Sequence, residues 1–465
     1  MTGKYLAERI TDLMKKSVKL FLITLAVVAI SACQSPSTQK TPKNVILIIG
    51  DGTGFNQFQS ASLYLHGEAD KLVSQNFPIK LAASTFSADG DGYDPQMVLT
   101  DFEYLLNKPT DSAASGTALS TGVKTHNGFV GMDTLEQPLT NMFELAEKAG
   151  KATGVVTSVP FAHATPATFV AHNKSRGHYK EIAHEMIFQS ATDIIIGCGH
   201  PYYNDNGEKL PEPDFKYWNS EDWQLVQEGS AGADADGDGD ADPWVFIDTR
   251  EDFIRLASGD APDRLLGIAM AASTLQANRG GKEEQTEPFT PPLNDNVPAL
   301  SDISLAALNV LDNDPDGFYL MIEGGAIDWA CHANHGPRLV EEAVDLEKAI
   351  KAVCEWVEKN SSWDETLVVI TADHETGYLT GPESGEKITA SGETRSVFTP
   401  LQSNGAGNMP EFEFHSGGHS NSLVPVFAKG AAAEGLARMA QMVDSLRGPY
   451  IDNTDIANYL KSFVK

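Results

Sequence analysis

Positive charge is scarce in this chain of 465 residues: 34 lysines and arginines face 64 aspartates and glutamates, a formal net charge of −30. So acidic a protein repels polyphosphate backbones, which argues against nucleic acid as a bound partner and leaves any attraction for a small anion to local cations. Arginine is rarer still early on, Arg176 being the only one between Arg9 and Arg250. Cysteine is nearly absent. Cys33, Cys198, Cys331 and Cys354 are the whole set. Without Cys33 the count is odd, which argues against a disulfide framework, leaves room for one bridge, and makes the three mostly buried thiols. No clear linker interrupts the alternating strand and helix signals, so one large α/β domain with inserted loops is expected, although the length allows two or three domains. The apolar run Leu20–Ile30 is too short for a comfortable membrane span.

That run belongs to an address. Lys15, Lys16 and Lys19 precede it and Ile-Ser-Ala-Cys33 closes it, giving the charged, apolar and small-residue parts of a secretory signal. The last four residues resemble the lipobox of bacterial lipoproteins, which implies lipidation of Cys33 and a membrane anchor. Gln34 in second place resembles the pattern sorted to the outer membrane. Residues 1–32 are then the signal, with Met14 an alternative start, 33–43 a tether, and 44–465 a single large domain on the periplasmic side. A cleaved signal with free periplasmic or secreted product is the alternative.

Three apolar runs deliver acids to one place. Asn44–Ile49 ends in Gly50-Asp51-Gly52, Phe318–Ile322 ends in Glu323, and Thr366–Thr371 ends in Asp373-His374-Glu375. Continuous apolar strands suit a parallel sheet covered on both faces, where ligands gather beyond the carboxyl ends of the strands. So many carboxylates in one cleft repel one another unless divalent cations compensate them. Asp328 and His332 stand four apart, on one face of a helix, a pairing that suits zinc; a solvated acid–histidine pair is the plainer reading. A dinucleotide site at Gly50–Gly52 fails, because the third glycine is missing and Asp51 would face a pyrophosphate.

Ser112 falls where a helix begins, after Asp111. Alone it reads as an N-cap, but near a cation that lowers its pKa it becomes a nucleophile without a histidine base. Arg176 offers a rigid fork for phosphate, although a lone loop arginine is usually a surface ion pair. The acidic run 234–242 opens like a calcium loop, yet its twelfth position is Val245 rather than a glutamate, and a solvated insertion serves equally. Helices are expected over Leu139–Ala149, Asp302–Leu311 and from Pro337 to about Lys359, with further strands at Ala152–Thr157, Ile194–Ile196 and Val424–Ala428. Insertions are expected near 200–243 and 381–410.

Taken together, Asp51, Asp111-Ser112-Ala113, His163-Ala-Thr165, Glu323-Gly-Gly-x-x-Asp328-x-x-x-His332, Asp373-His374-Glu375-Thr-Gly and His419 before Val-Pro-Val-Phe-Ala resemble the alkaline phosphatase family. The resemblance implies a large, mostly parallel sheet with helices on both faces and hydrolysis of small phosphate monoesters through a phosphoserine on Ser112. It implies two zinc ions, one on Asp328, His332 and His419 and one on Asp51, Asp373 and His374, with one magnesium on Asp51, Thr165 and Glu323. Arg176 is the implied phosphate clamp, oriented by Asp111. His163 and Trp329 resemble the variant of several cold-adapted and marine bacterial enzymes, leaving the ion beside them open between magnesium and another metal. His415 competes with His419 for the last ligand position, and His335 is read as lying beside the ligands or at the surface. Relatives commonly form homodimers, to which 381–410 would be available. A phosphodiesterase of the same superfamily and a non-catalytic metal-binding lipoprotein are the rival readings.

Overall fold

A computed structural model describes residues 40–235, 239–390 and 393–464. Cys33 and the expected leader lie outside the described residues, as do positions 236–238 of the acidic loop. Every residue of strand β1 (Asn44–Gly50) is buried. Its side chains alternate between two cores. Val45, Leu47 and Ile49 enter one, while Ile46 and Ile48 enter the other. This is the consequence of a two-residue side-chain period in a sheet covered on both sides.

The remaining strands of the sheet are β2 (Ile79–Ser84), β3 (Ala152–Pro160), β4 (Ile194–Cys198), β5 (Val245–Ile247), β6 (Leu265–Ile268), β7 (Phe318–Gly324), β8 (Thr366–Thr371), β9 (Val424–Gly430), β10 (Met442–Asp444) and β11 (Gly448–Asp452). They lie in the order β10-β11-β2-β9-β8-β1-β7-β3-β4-β6-β5. From β8 to β5 every pairing is parallel. The antiparallel pairs are β8 with β9, β9 with β2, and β10 with β11. Helices Ser112–Thr121, Tyr179–Phe188 and Asn453–Lys461 cover one face; Phe55–His66, Leu300–Leu311 and Gly336–Asn360 cover the other.

Register sets the site. Ile49 of β1 pairs with Glu323 on one side and with Thr371 on the other. Asp51, Glu323 and Asp373 therefore leave three adjacent strands at one edge, as expected of a parallel sheet.

One expected boundary moves for an identifiable reason. The helix expected from Leu139 runs over Met142–Lys148, because Asn141 caps it and Glu144 returns a hydrogen bond to the Asn141 N–H at 3.0 Å. Within the expected insertion at 381–410, Lys387–Ala390 pairs with Glu393–Ser396. Cys198, Cys331 and Cys354 are free and buried.

The long helix Gly336–Asn360 carries a buried ionic hub. Glu341 accepts from Arg279 at 2.7 and 3.0 Å, from Arg338 at 3.0 Å, and from Gln285 and the Phe289 N–H at 2.5 Å each. The loop 276–294 is thereby fixed to the helix. A buried pair this fully bonded is tolerable where a bare charge is not.

Candidate active site and metal centre

Two ligand sets stand at the strand ends. In the first, His332 Nε2 lies 3.0 Å from His419 Nε2 and 3.4 Å from Asp328 Oδ2, and His419 Nε2 lies 3.5 Å from Asp328 Oδ1. In the second, His374 Nε2 lies 3.6 Å from Asp51 Oδ1 and 3.2 Å from Asp373 Oδ2. Within each set the ligand atoms lie within 4.8 Å of one another. Asp328 and His332 share a face of the helix Ala326–His332, as their spacing of four requires.

The rings are held by their other nitrogens. His419 Nδ1 lies 2.8 Å from the Thr110 carbonyl and His332 Nδ1 lies 2.7 Å from the Gly417 carbonyl. Each Nδ1–H is thus used, and each Nε2 lone pair faces the cluster, the arrangement that metal-binding histidines adopt. Gly52 and His374 donate backbone N–H groups to Asp373 Oδ1 at 3.1 and 2.8 Å.

The electrostatics call for a cation. Burial, and then the neighbouring Asp373 charge, raises the Asp51 carboxyl well above its usual range. Burial and then Asp328 push Asp373 up to about 8. Glu323 is raised to about 7 by burial, against a Thr157 hydroxyl that donates to it. Burial, then the His419 charge, lowers His374, so its imidazole is a neutral ligand. Asp51 Oδ1, Asp373 Oδ2 and Thr165 Oγ1 are buried without hydrogen-bond partners. Buried acceptors left this way are costly, and divalent ions would satisfy them. Imidazole with carboxylate suits zinc; the all-oxygen group of Asp51, Thr165 and Glu323 suits magnesium.

Ser112 opens the helix Ser112–Thr121 and its Oγ stands 3.2 Å from His374 Nε2, pointing at the focus of the second set. Asp111 caps that helix, accepting from Ala114 N–H at 2.9 Å, while its other oxygen accepts from Gly128 N–H at 3.0 Å and from Arg176 Nη1 at 3.1 Å. Burial opposes the Arg176 charge, but Asp111 and Asp51 outweigh it and raise its pKa. The His163 ring stacks on Tyr179, with centroids 5.6 Å apart, and stands 5.4 Å from Trp329. Burial lowers His163 to about 3. It brings no positive charge.

Other readings resolve differently. His415 bonds Thr380 Oγ1 at 2.7 Å and packs on Phe102, away from both sets. His335 is neither beside the ligands nor a bare surface residue: its Nδ1 accepts from Arg338 N–H at 3.2 Å, capping the long helix, and its Nε2 donates to the Lys282 carbonyl at 2.8 Å. Among the described residues the acidic loop forms no metal-type group. Asp242 instead accepts from the Ala235 N–H at 2.9 Å. Sequence reasoning gave no role to Thr157 or Thr376, hydroxyls that support ligands; an uncharged residue beside a charged motif carries little signal of its own.

The alkaline phosphatase family model matches residues 42–407. Alkaline phosphatase 4 of Bacillus subtilis (strain 168) is 30% identical over 354 residues, 74% of this chain and 64% of that one, so the chain spans less than two thirds of that relative's length. The alkaline phosphatase of Escherichia coli (strain K12) is 30% identical over 373 residues, 74% of this chain and 72% of that one. The cold-active alkaline phosphatase of a psychrophilic Shewanella sp. superposes with TM-score 0.63 at 25% identity, covering 91% of this chain and 100% of the other. That of the Antarctic bacterium TAB5 gives 0.61 at 25%, covering 92% and 99%. Because the matched stretch runs from the first strand of the sheet past Asp373 and His374, this chain belongs to the alkaline phosphatase family.

Proposed function

We propose that this protein hydrolyses phosphate monoesters through a phosphoserine on Ser112, with zinc held by Asp328, His332 and His419, zinc held by Asp51, Asp373 and His374, and magnesium held by Asp51, Thr165 and Glu323. A TAB5 enzyme mutant with histidine exchanged for glutamate is described with magnesium in its M3 site, which supports a third ion in such folds. When bound, such ions supply Lewis acidity, lowering hydroxyl and water pKa values and stabilising a departing oxygen.

The chain's own groups do the rest. Arg176, held by Asp111, forks onto two nonbridging oxygens and orients the phosphoryl group. The Ser112 oxygen attacks phosphorus in line with the alcohol, which leaves. Water then attacks the phosphoserine from the vacated side, regenerating the Ser112 hydroxyl and releasing inorganic phosphate. The observation that carries this reading is the Ser112 Oγ, 3.2 Å from His374 Nε2 at the focus of a carboxylate–imidazole set.

The test is hydrolysis of a nitrophenyl monophosphate and of its bis ester, with and without chelator. Chelator-sensitive release from the monoester, lost in Ser112→Ala with metal content retained, is expected. Preferential bis ester cleavage points to a phosphodiesterase, and no chelator-sensitive release points to a binding protein. The leader and Cys33 support an outer-membrane lipoprotein facing the periplasm; Cys33→Ala should free the protein from the membrane fraction, and a wild-type protein already free would sink this placement.

A further inference from the structure

Thr376 stands between the two ligand sets and touches a member of each. It is fully buried, and its Oγ1 donates to Asp328 Oδ1 at 2.5 Å while lying 3.3 Å from His374 Nδ1. A hydroxyl has one proton. With that proton committed to Asp328, the oxygen can meet His374 only as an acceptor, so His374 carries its proton on Nδ1 and presents the Nε2 lone pair to Asp51, Asp373 and Ser112. The backbone reinforces the position: Thr376 N–H donates to the Gly52 carbonyl at 3.0 Å, its carbonyl accepts from Gln57 at 2.9 Å, and Thr376 pairs with His419 across a two-residue antiparallel ladder. The segments carrying Asp51, Asp328 and His419 thus converge on Thr376, which shares its own segment with His374.

We propose that Thr376 is a positioning residue that couples the two ligand sets, its single hydroxyl orienting the Asp328 carboxylate in one and fixing the His374 tautomer in the other. The inference rests on the metal reading above. It adds that the sites are built as a pair, because Asp328 and His374 share one hydroxyl oxygen. Outer hydrogen-bond partners of metal ligands change affinity by about 10- to 100-fold when removed.

The test measures zinc affinity of the full chain by competition with a chromophoric chelator. Thr376→Val keeps the branched shape and the backbone bonds but removes the hydroxyl; Thr376→Ser restores it; Thr376→Ala serves if the valine protein does not fold. Each is placed in two backgrounds, His419→Ala, which cripples the first set, and His374→Ala, which cripples the second. We expect zinc binding to the surviving set to weaken by about 10-fold or more with valine or alanine in both backgrounds, and to recover with serine. Unchanged affinity in either background overturns the coupling. Failure of serine to recover affinity overturns the role of the hydroxyl. If the unaltered protein takes up no zinc, the metal reading itself fails, and this inference with it.

Discussion

Asp111 divides its carboxylate between two tasks: Oδ1 caps the helix that begins at Ser112 and Oδ2 accepts from Arg176 at 3.1 Å. Ser112 and Arg176, the proposed nucleophile and phosphate clamp, are therefore registered by one side chain. Asp111→Asn keeps an acceptor for the cap but loses the charge and one acceptor on the Arg176 side. Steady-state kinetics on a nitrophenyl monophosphate should show KM rising more than kcat falls, with kcat/KM lower by about 10-fold, the order of one charged hydrogen bond. Asp111→Ala should add about 1 kcal/mol of lost stability through the cap. Equal losses of stability in both variants would remove the division of labour.

Gly52 stands where a side chain would strike the site. Its φ is +67°, and a Cβ there would meet Asp328 Cα at 2.7 Å. Gly92 has φ +84° with open space around it. Gly92→Ala should cost about 1–2 kcal/mol of backbone strain and keep turnover, whereas Gly52→Ala adds a collision with a ligand residue. Zinc content and phosphatase activity of the two variants separate strain from collision; retention of both in Gly52→Ala would contradict the packing described.

The buried acids set a pH dependence whose sign can be worked out. Asp373 at about 8 and Glu323 at about 7 lie above ordinary carboxylate values of about 4, so the metal-free folded protein holds protons that the unfolded chain releases. Their contribution to stability is complete below about pH 4 and is lost as pH rises through 7 to 8. Urea unfolding of chelator-stripped protein should show the midpoint falling over that window. Zinc should abolish the fall, and its uptake should release protons. A midpoint that rises with pH in stripped protein would refute the assignment.

The Arg279–Glu341–Arg338 hub predicts an asymmetry. Glu341→Ala leaves two buried guanidinium groups unpaired and should cost about 3–5 kcal/mol in urea unfolding. Replacing all three by apolar residues of similar volume should cost less than that single change. A smaller loss for Glu341→Ala than for the triple variant would count against the hub as an ionic unit.

What could be read from the sequence follows from how loudly each residue signals. β1, β7 and β8 were legible because buried parallel strands are continuous apolar runs, and the acids at their ends broke those runs abruptly. β2 begins with an exposed Lys80 and half-exposed Ile79, and β10 exposes Met442 at 43% and Val443 at 68%, so neither resembles a buried strand. Arg338 and Glu341 carried no signal of burial, since nothing local announces that Arg279 will meet them from a loop about sixty positions earlier. Thr376 stayed silent inside a motif dominated by Asp373 and His374. Its importance arises from the proton count of a hydroxyl between two partners, which only three-dimensional placement reveals.

The place of β1 has a consequence for how the molecule can be made. Of the described strands the earliest to leave a ribosome or an export channel sits between β7 and β8, and gains its second neighbour only after residue 371 has emerged. Until then a mostly apolar ribbon waits with an unmatched edge, the condition under which nascent chains aggregate. Maturation is consequently late and nearly all-or-none: a polypeptide halted before Thr371 should bind no zinc, whatever its length.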